Sequence, residues 1–214
     1  MSQPEPPTRH PEATMTPAVL DQPAASASSA SSAATTDILA PLRFFYGLGS
    51  ESPRVTFLDP DEMPEPAHHL LVHQSDMTGR LRDYHHSEIT LDVHAKSRIG
   101  NYLVRASVLK SKSEGMPVEF GAIGIHLDGF DDGARELILE GKVPLGGIIT
   151  QRGIGHLSRP CGYFRIEIDH RLATLLGGWE GQTLYGRCNT LHHADGSALA
   201  EVVEVLPAER VGRE

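Results

Sequence analysis

The sequence predicts an α+β domain built on antiparallel strands, five or six in number, and three observations carry the prediction. Ile89, Leu91 and Val93 alternate with Thr90, Asp92 and His94, which is the two-residue period of a half-buried strand. The β-rich run Tyr102 to Lys110 is followed by Ser113-Glu114-Gly115 and then by a second apolar run, Val118 to Leu127, and the three together read as a hairpin. Another hairpin is signalled where Ala194-Asp195-Gly196-Ser197 separates Gln182–Leu191 from Leu199–Leu206, because Asp-Gly suits a tight turn between strands. Helical segments interspersed with such hairpins define the α+β class.

From the N-terminus, residues 1–36 are rich in Pro, Ala, Ser and Thr, and Ala24 to Ala34 is a low-complexity Ala/Ser run. Such a segment buries too little apolar area to offset its chain entropy, so it is expected to be a disordered tail. A short helix through the Ala/Ser run is the alternative. The folded domain is expected over residues 37–208, with 209–214 as a C-terminal tail. Order begins near Asp37-Ile38-Leu39 and Phe44-Phe45-Tyr46, and a polar, Pro-bearing loop is expected from Glu51 to Pro66. His68 to Val72 suits a helix. Ser75 or Asp76 then caps a second helix, with Met77, Leu81 and Tyr84 at i, i+4 and i+7. After the first hairpin, Asp131 to Glu140 is helical, with Leu137, Ile138 and Leu139 giving it an apolar side and Gly141 a stop. Pro144 cannot continue that helix. Tyr163 to Ile168 forms a further strand.

With 214 residues the chain has room for one domain and a tail. A net charge of −9 argues against general nucleic-acid binding, which needs clustered Lys and Arg. Cys161 and Cys188 show no CxxC spacing and are expected to be two reduced, buried thiols rather than a pair. No stretch approaches 18 consecutive apolar residues, and the acidic, Pro-rich start lacks the pattern of a signal peptide, so the cytoplasm is the expected location.

Four features bear on chemistry. Arg105 is in phase with Leu103, Ser107 and Leu109 in an otherwise apolar strand. If that face is buried, the guanidinium needs a partner, and a bound carboxylate matches it well. Phase alone does not say which side is wet, and the pattern by itself favours a solvent-facing arginine. Pro144-Leu145-Gly146-Gly147 can bring backbone N–H groups close to a ligand, or be a connecting turn with Leu145 in the core. Glu201 and Glu204 are three apart, so on a regular strand they face opposite sides. The inward one can accept a hydrogen bond or move a proton, unless a bulge lets both reach water. The twelve histidines include the adjacent pairs His68-His69, His85-His86 and His192-His193, whose side chains diverge and chelate poorly. No HExxH or Cys/His spacing occurs, and Gly153-Ile154-Gly155 lacks the rest of a dinucleotide fingerprint, so no metal or cofactor is expected. No GxSxG elbow is present.

In this order and spacing the pieces resemble chorismate–pyruvate lyase and its wider family, from about Leu70 to Pro207. Leu70 to Leu81 resembles the family's opening helix with its Met77-Thr78 pair. Tyr102-Leu103-Val104-Arg105 resembles the strand with its carboxylate-binding arginine, and Lys142-Val143-Pro144-Leu145-Gly146 its Pro-Leu-Gly turn. Leu184-Tyr185-Gly186-Arg187 and Glu204-Val205-Leu206-Pro207 resemble its final hairpin. The resemblance implies a chorismate lyase-like fold, a single antiparallel sheet of about six strands with helices packed on it. It implies cofactor-independent conversion of chorismate to 4-hydroxybenzoate and pyruvate, a reaction of ubiquinone biosynthesis. Arg105 would hold the ring carboxylate, the backbone N–H groups of Met77 and Leu145 would complete the grip beside Gly146, and Glu204 (second choice Glu201) would meet the ring hydroxyl.

Two positions depart from the family. Counting back from Pro207 without a gap puts the family glutamate on Val203, one residue from Glu204, and a one-residue shift changes face. The family arginine that follows a glycine on the return strand falls on Ala122, leaving Arg159, Arg165 or Arg187 to substitute. The alternative reading is therefore a non-catalytic binder of a small aromatic carboxylate, of the same fold as effector-sensing domains of transcription regulators. Those usually follow a DNA-binding helix-turn-helix, which the first 40 residues are not expected to form. A structural protein with no ligand is the third reading.

Overall fold

The computed structural model describes residues 37–47 and 51–208. The readings on residues 1–36 and 209–214 lie outside them. The described residues form seven strands, β1 (Val55–Leu58), β2 (Ile89–Ile99), β3 (Tyr102–Ser111), β4 (Pro117–His126), β5 (Leu157–Glu167), β6 (Thr183–His192) and β7 (Ala198–Val205). Six helices accompany them: α1 (Ala40–Tyr46), α2 (Ala67–Leu71), α3 (Met77–His85), α4 (Asp132–Glu140), α5 (Leu145–Arg152) and α6 (His170–Leu176). All seven strands join one antiparallel sheet in the order β1-β5-β6-β7-β4-β3-β2. The predicted class is thus the observed one, with one strand more than expected.

The extra strand is β1, which lies in the stretch read as a polar loop. It pairs with β5 across more than a hundred residues, Phe57 opposite Phe164. Three helices also went unread: α1, where only the onset of order was expected, α5 and α6. The Pro-Leu-Gly turn is the first turn of α5, with Pro144 at its N-cap and Gly153 (φ 62°) at its C-cap. Helix α6 is capped by Asp169, whose side chain accepts from the Leu172 N–H, and ends at Gly177. The predicted caps hold elsewhere. Asp76 accepts from the Gly79 N–H at the start of α3, Asp131 accepts from the Ala134 N–H at the start of α4, and Gly141 at φ 71° ends α4.

The sheet has two differently dressed faces. On one, Ala106, Val108, Phe120, Ala122, Phe164 and Val203 form an apolar layer sealed by Leu42 and Phe45 of α1 and Leu172 and Leu176 of α6. The other carries two separate apolar clusters. One gathers Leu103, Ile123 and Ile125 beneath Ile138 of α4 and Ile148 of α5. The other gathers Leu109, Val118 and Leu206 with Leu71 of α2 and Met77 and Leu81 of α3. The seam between those clusters is polar. Cys188 is buried and its thiol is pushed up by burial, but Cys161 is exposed, correcting the expectation of two buried thiols: β5 turns it outward beside the register shift between Pro160 and Gly162.

Candidate functional site: a charged cavity under two helix N-termini

Strand register builds the floor of the seam as a grid. Arg105 of β3 lies opposite Ile123 of β4, which lies opposite Val202 of β7, then Asn189 of β6. One row along, Ser107, Gly121, Glu204 and Arg187 succeed one another across the same four strands. Glu119 follows Gly121 at the next same-face position of β4. Residues directly opposite share a face, so the polar groups Arg105, Ser107, Glu119, Glu204, Arg187 and Asn189 point the same way. The roof is the first turns of α3 and α5. A cavity of about 80 Å³ lies between, lined among others by Asp76, Met77, Thr78, Arg105, Glu119, Leu145, Gly146, Arg187 and Glu204. One water occupies about 10–15 Å³ of such space, so the cavity takes a handful of waters or one small ligand.

All five predicted site residues, Met77, Arg105, Leu145, Gly146 and Glu204, line this one cavity. Glu201 does not. It faces away, where its carboxylate accepts from the Tyr102 hydroxyl at 3.1 Å and meets His126 Nε2 at 2.8 Å. The opposite-face prediction for the two glutamates thus fits the register, with Glu204 inward. Ala122 lies in the apolar layer of the other face, paired with Val203. A side chain at either position cannot reach the cavity. Strand alternation turns Ala122 and Val203 toward the apolar layer and gives the cavity their neighbours Gly121 and Glu204. Of the three substitute cations, Arg159 and Arg165 are exposed and Arg187 lines the cavity.

Arg105 is 2% exposed, and its Nε and Nη1 have no hydrogen-bond partner among the described residues. The solvent-facing reading of this residue is therefore corrected. Leu103, Ser107 and Leu109 share its face and are buried with it. Burial pulls its pKa down to about 10, so it remains a cation at neutral pH.

Arg187 is fully buried and committed. Its Nε donates to Glu204 Oε2, and its Nη1 donates to the Leu71 and His73 carbonyls at 2.9 and 3.0 Å. It thereby fastens the chain leaving α2 to the sheet, while Nη2 has no partner among the described residues. Burial opposes its charge, but the attraction of Glu204 and the hydrogen bond it accepts lead the influences that hold its pKa above the ordinary arginine value. Glu119 is 4% exposed, and its Oε2 has no partner. Burial pushes its pKa well above the usual carboxylate range, repulsion from Glu204 and Asp76 adds to that, and Arg187 offsets only part.

The roof explains the Pro-Leu-Gly sequence. A methyl group at Gly146 would sit 2.0 Å from Asp76 Oδ1 and 2.8 Å from Thr78 Oγ1, so glycine is what lets the first turns of α5 and α3 abut. The first turns of both helices, and with them the positive ends of both dipoles, lie along the cavity. Asp76 supplies them with one negative charge. Gly121 leaves the floor open in the middle, and a methyl there would lie 3.1 Å from Glu119 Oε1. Sequence reasoning passed over Glu119 and Asn189. The available signal was alternation: Glu119, Gly121 and Ile123 are in phase, as are Arg187 and Asn189. Among the described residues no cluster of His, Cys, Asp and Glu is arranged to hold a metal ion, and no helix is long and apolar enough to cross a membrane.

No family model and no curated protein matches the chain. Similarity appears among solved structures. The chain resembles PhnF from Mycobacterium smegmatis at 16% identity and a TM-score of 0.49, over 66% of this chain and 67% of that one. The effector domain of the same protein gives 17% identity and 0.49, over 64% of this chain and 90% of that one. A ligand-binding domain assigned to a GntR-family transcriptional regulator from Bordetella bronchiseptica gives 15% and 0.45, over 58% and 88%.

Proposed function

We propose that this protein binds a small carboxylate, of the size of a single-ring aromatic acid, in the cavity between Arg105 and the first turns of α3 and α5, and releases it unchanged. The observation that carries this reading is the Arg105 guanidinium, which is buried and has two nitrogens without a partner. An unpaired buried charge costs several kcal/mol. A ligand carboxylate removes that cost when it binds, and the helix N-termini above it favour the same negative charge. Met77 and Leu145 would supply backbone N–H groups to it, and Gly146 would let them approach.

A second reading, lyase chemistry on chorismate, is favoured by one observation: Arg187 puts another cation in the cavity, as a substrate with two carboxylates requires. Against it, Glu204 already neutralises Arg187 and is not free to serve a ring hydroxyl. Incubation with chorismate separates the two. Pyruvate formed no faster than spontaneously, with saturable calorimetric binding of 4-hydroxybenzoate or benzoate, is the outcome for a binder. Pyruvate released well above that rate would establish the lyase. Failure of every small aromatic acid to bind would overturn both.

A further inference from the structure

Glu119 is buried to 4% exposure and lines the cavity. Its Oε2 has no partner among the described residues. The charged and titratable groups that line the cavity around it are Glu204 of β7, Arg187 of β6, Asp76 at the head of α3, Arg105 of β3 and His156, just ahead of β5. Behind Arg187 stand Tyr163 of β5 and His73, whose ring lies 3.4 Å from the guanidinium. Two of these groups are anions, and Arg187, the cation that acts on Glu119, is already bonded to Glu204. Arg105 stands two same-face positions along the sheet from Leu109, which lies opposite Glu119, and does not act on it, so burial without a nearby free cation keeps the proton on.

We propose that Glu119 is a specificity-determining residue: as a neutral carboxylic acid it donates its proton to a hydrogen-bond acceptor on the ligand whose carboxylate sits on Arg105. This rests on the binding reading given above. It narrows the ligand class to small acids that carry a second acceptor, such as a carbonyl, ether or second carboxyl oxygen, and it disfavours acids whose far end only donates.

Infrared spectroscopy of the ligand-free protein tests the proton by itself. Wild type at neutral pH should show the carbonyl band of an un-ionised carboxylic acid, and Glu119→Gln should lack it. Wild type without that band overturns the proposal whatever the protein binds. Calorimetry then uses three probes differing at one position: benzoate, 4-formylbenzoate (acceptor only) and 4-aminobenzoate (chiefly donor). Wild type should favour the formyl over the amino compound by about 3- to 10-fold, the worth of one neutral hydrogen bond. Glu119→Gln, which keeps an N–H donor, should retain that preference, and Glu119→Leu should lose it while still binding benzoate. Raising the pH until the infrared band disappears should abolish the wild-type preference and leave that of Glu119→Gln intact. Equal affinities for all probes in wild type, or a preference that survives in Glu119→Leu, overturns the role in specificity. If no probe binds while the band is present, the binding reading fails and the specificity role fails with it, leaving only the proton.

Discussion

One face of the sheet meets α1 and α6 through Phe120, Phe164, Val108 and Val203, all fully buried and apolar. The same strands, one residue out of phase, turn Arg105, Glu119, Arg187 and Glu204 toward α3 and α5, also buried. Both faces exclude water, but only the first does so with groups that gain from it. The second holds ionisable groups whose desolvation is unfavourable, and not all of them are paired. The difference teaches where stability and function are kept. The apolar face, with the clusters at either end of the seam, stabilises the domain enough to hold an unsatisfied arginine where a ligand can use it.

Substitutions on the two faces should therefore behave oppositely. The largest expected effect is on the apolar face: Phe120→Ala should cost about 3–5 kcal/mol by cavity formation, read as a fall in the urea midpoint, with residual native protein still binding ligand. A comparable loss, about 3–5 kcal/mol, is expected where the polar face is paired. Glu204→Leu alone strands the Arg187 charge, and adding Arg187→Met should recover part of that loss despite freeing the Leu71 and His73 carbonyls. A double variant less stable than Glu204→Leu would show that the pair is not the source of the effect.

A pH effect comes next. Burial, and then Arg187, lower the His73 pKa from 6.5 to about 4. The unfolded chain takes up that proton more readily than the folded one, so His73 contributes a loss of stability as the pH drops from 6.5 to 4, opposed by Glu119, which over that range holds its proton more firmly in the folded chain. The His73 share is the difference between two curves: relative to wild type, His73→Gln should gain stability at pH 4 over pH 7, measured by urea unfolding at successive pH values, and an unchanged difference would reject the assignment. The smallest effect should be at Arg105. Arg105→Met removes an unpaired charge and keeps the volume, so stability should hold or rise slightly. A marked loss would mean that the guanidinium has a structural partner.

The two faces were also unequally legible in the sequence. The hairpins around Gly115 and Gly196 are local, and their turn residues and alternation gave them away. Strand β1 has only four residues and finds its partner β5 far along the chain, so nothing local marks it. Helix α5 opens on Leu145-Gly146-Gly147, two poor helix formers, and exists because Gly146 lets it close on α3. Helix α6 was signalled by Asp169 and Gly177 at its ends, but its seven residues gave little periodicity. In the candidate site, phase placed Arg105 beside Ser107 and Glu204 opposite Glu201. Which face was buried could not be read, because both faces are. Glu119 stayed hidden because a glutamate in a strand ordinarily faces water, and only the tertiary fold covers it.

The affinity of wild type and Arg105→Met for benzoate, titrated calorimetrically at neutral pH on proteins of matched stability, bears most directly on the central claim. The account predicts saturable binding by wild type and a loss of about 10- to 150-fold in the variant, the worth of a hydrogen bond to a charged group. Equal affinity in the two proteins would contradict it.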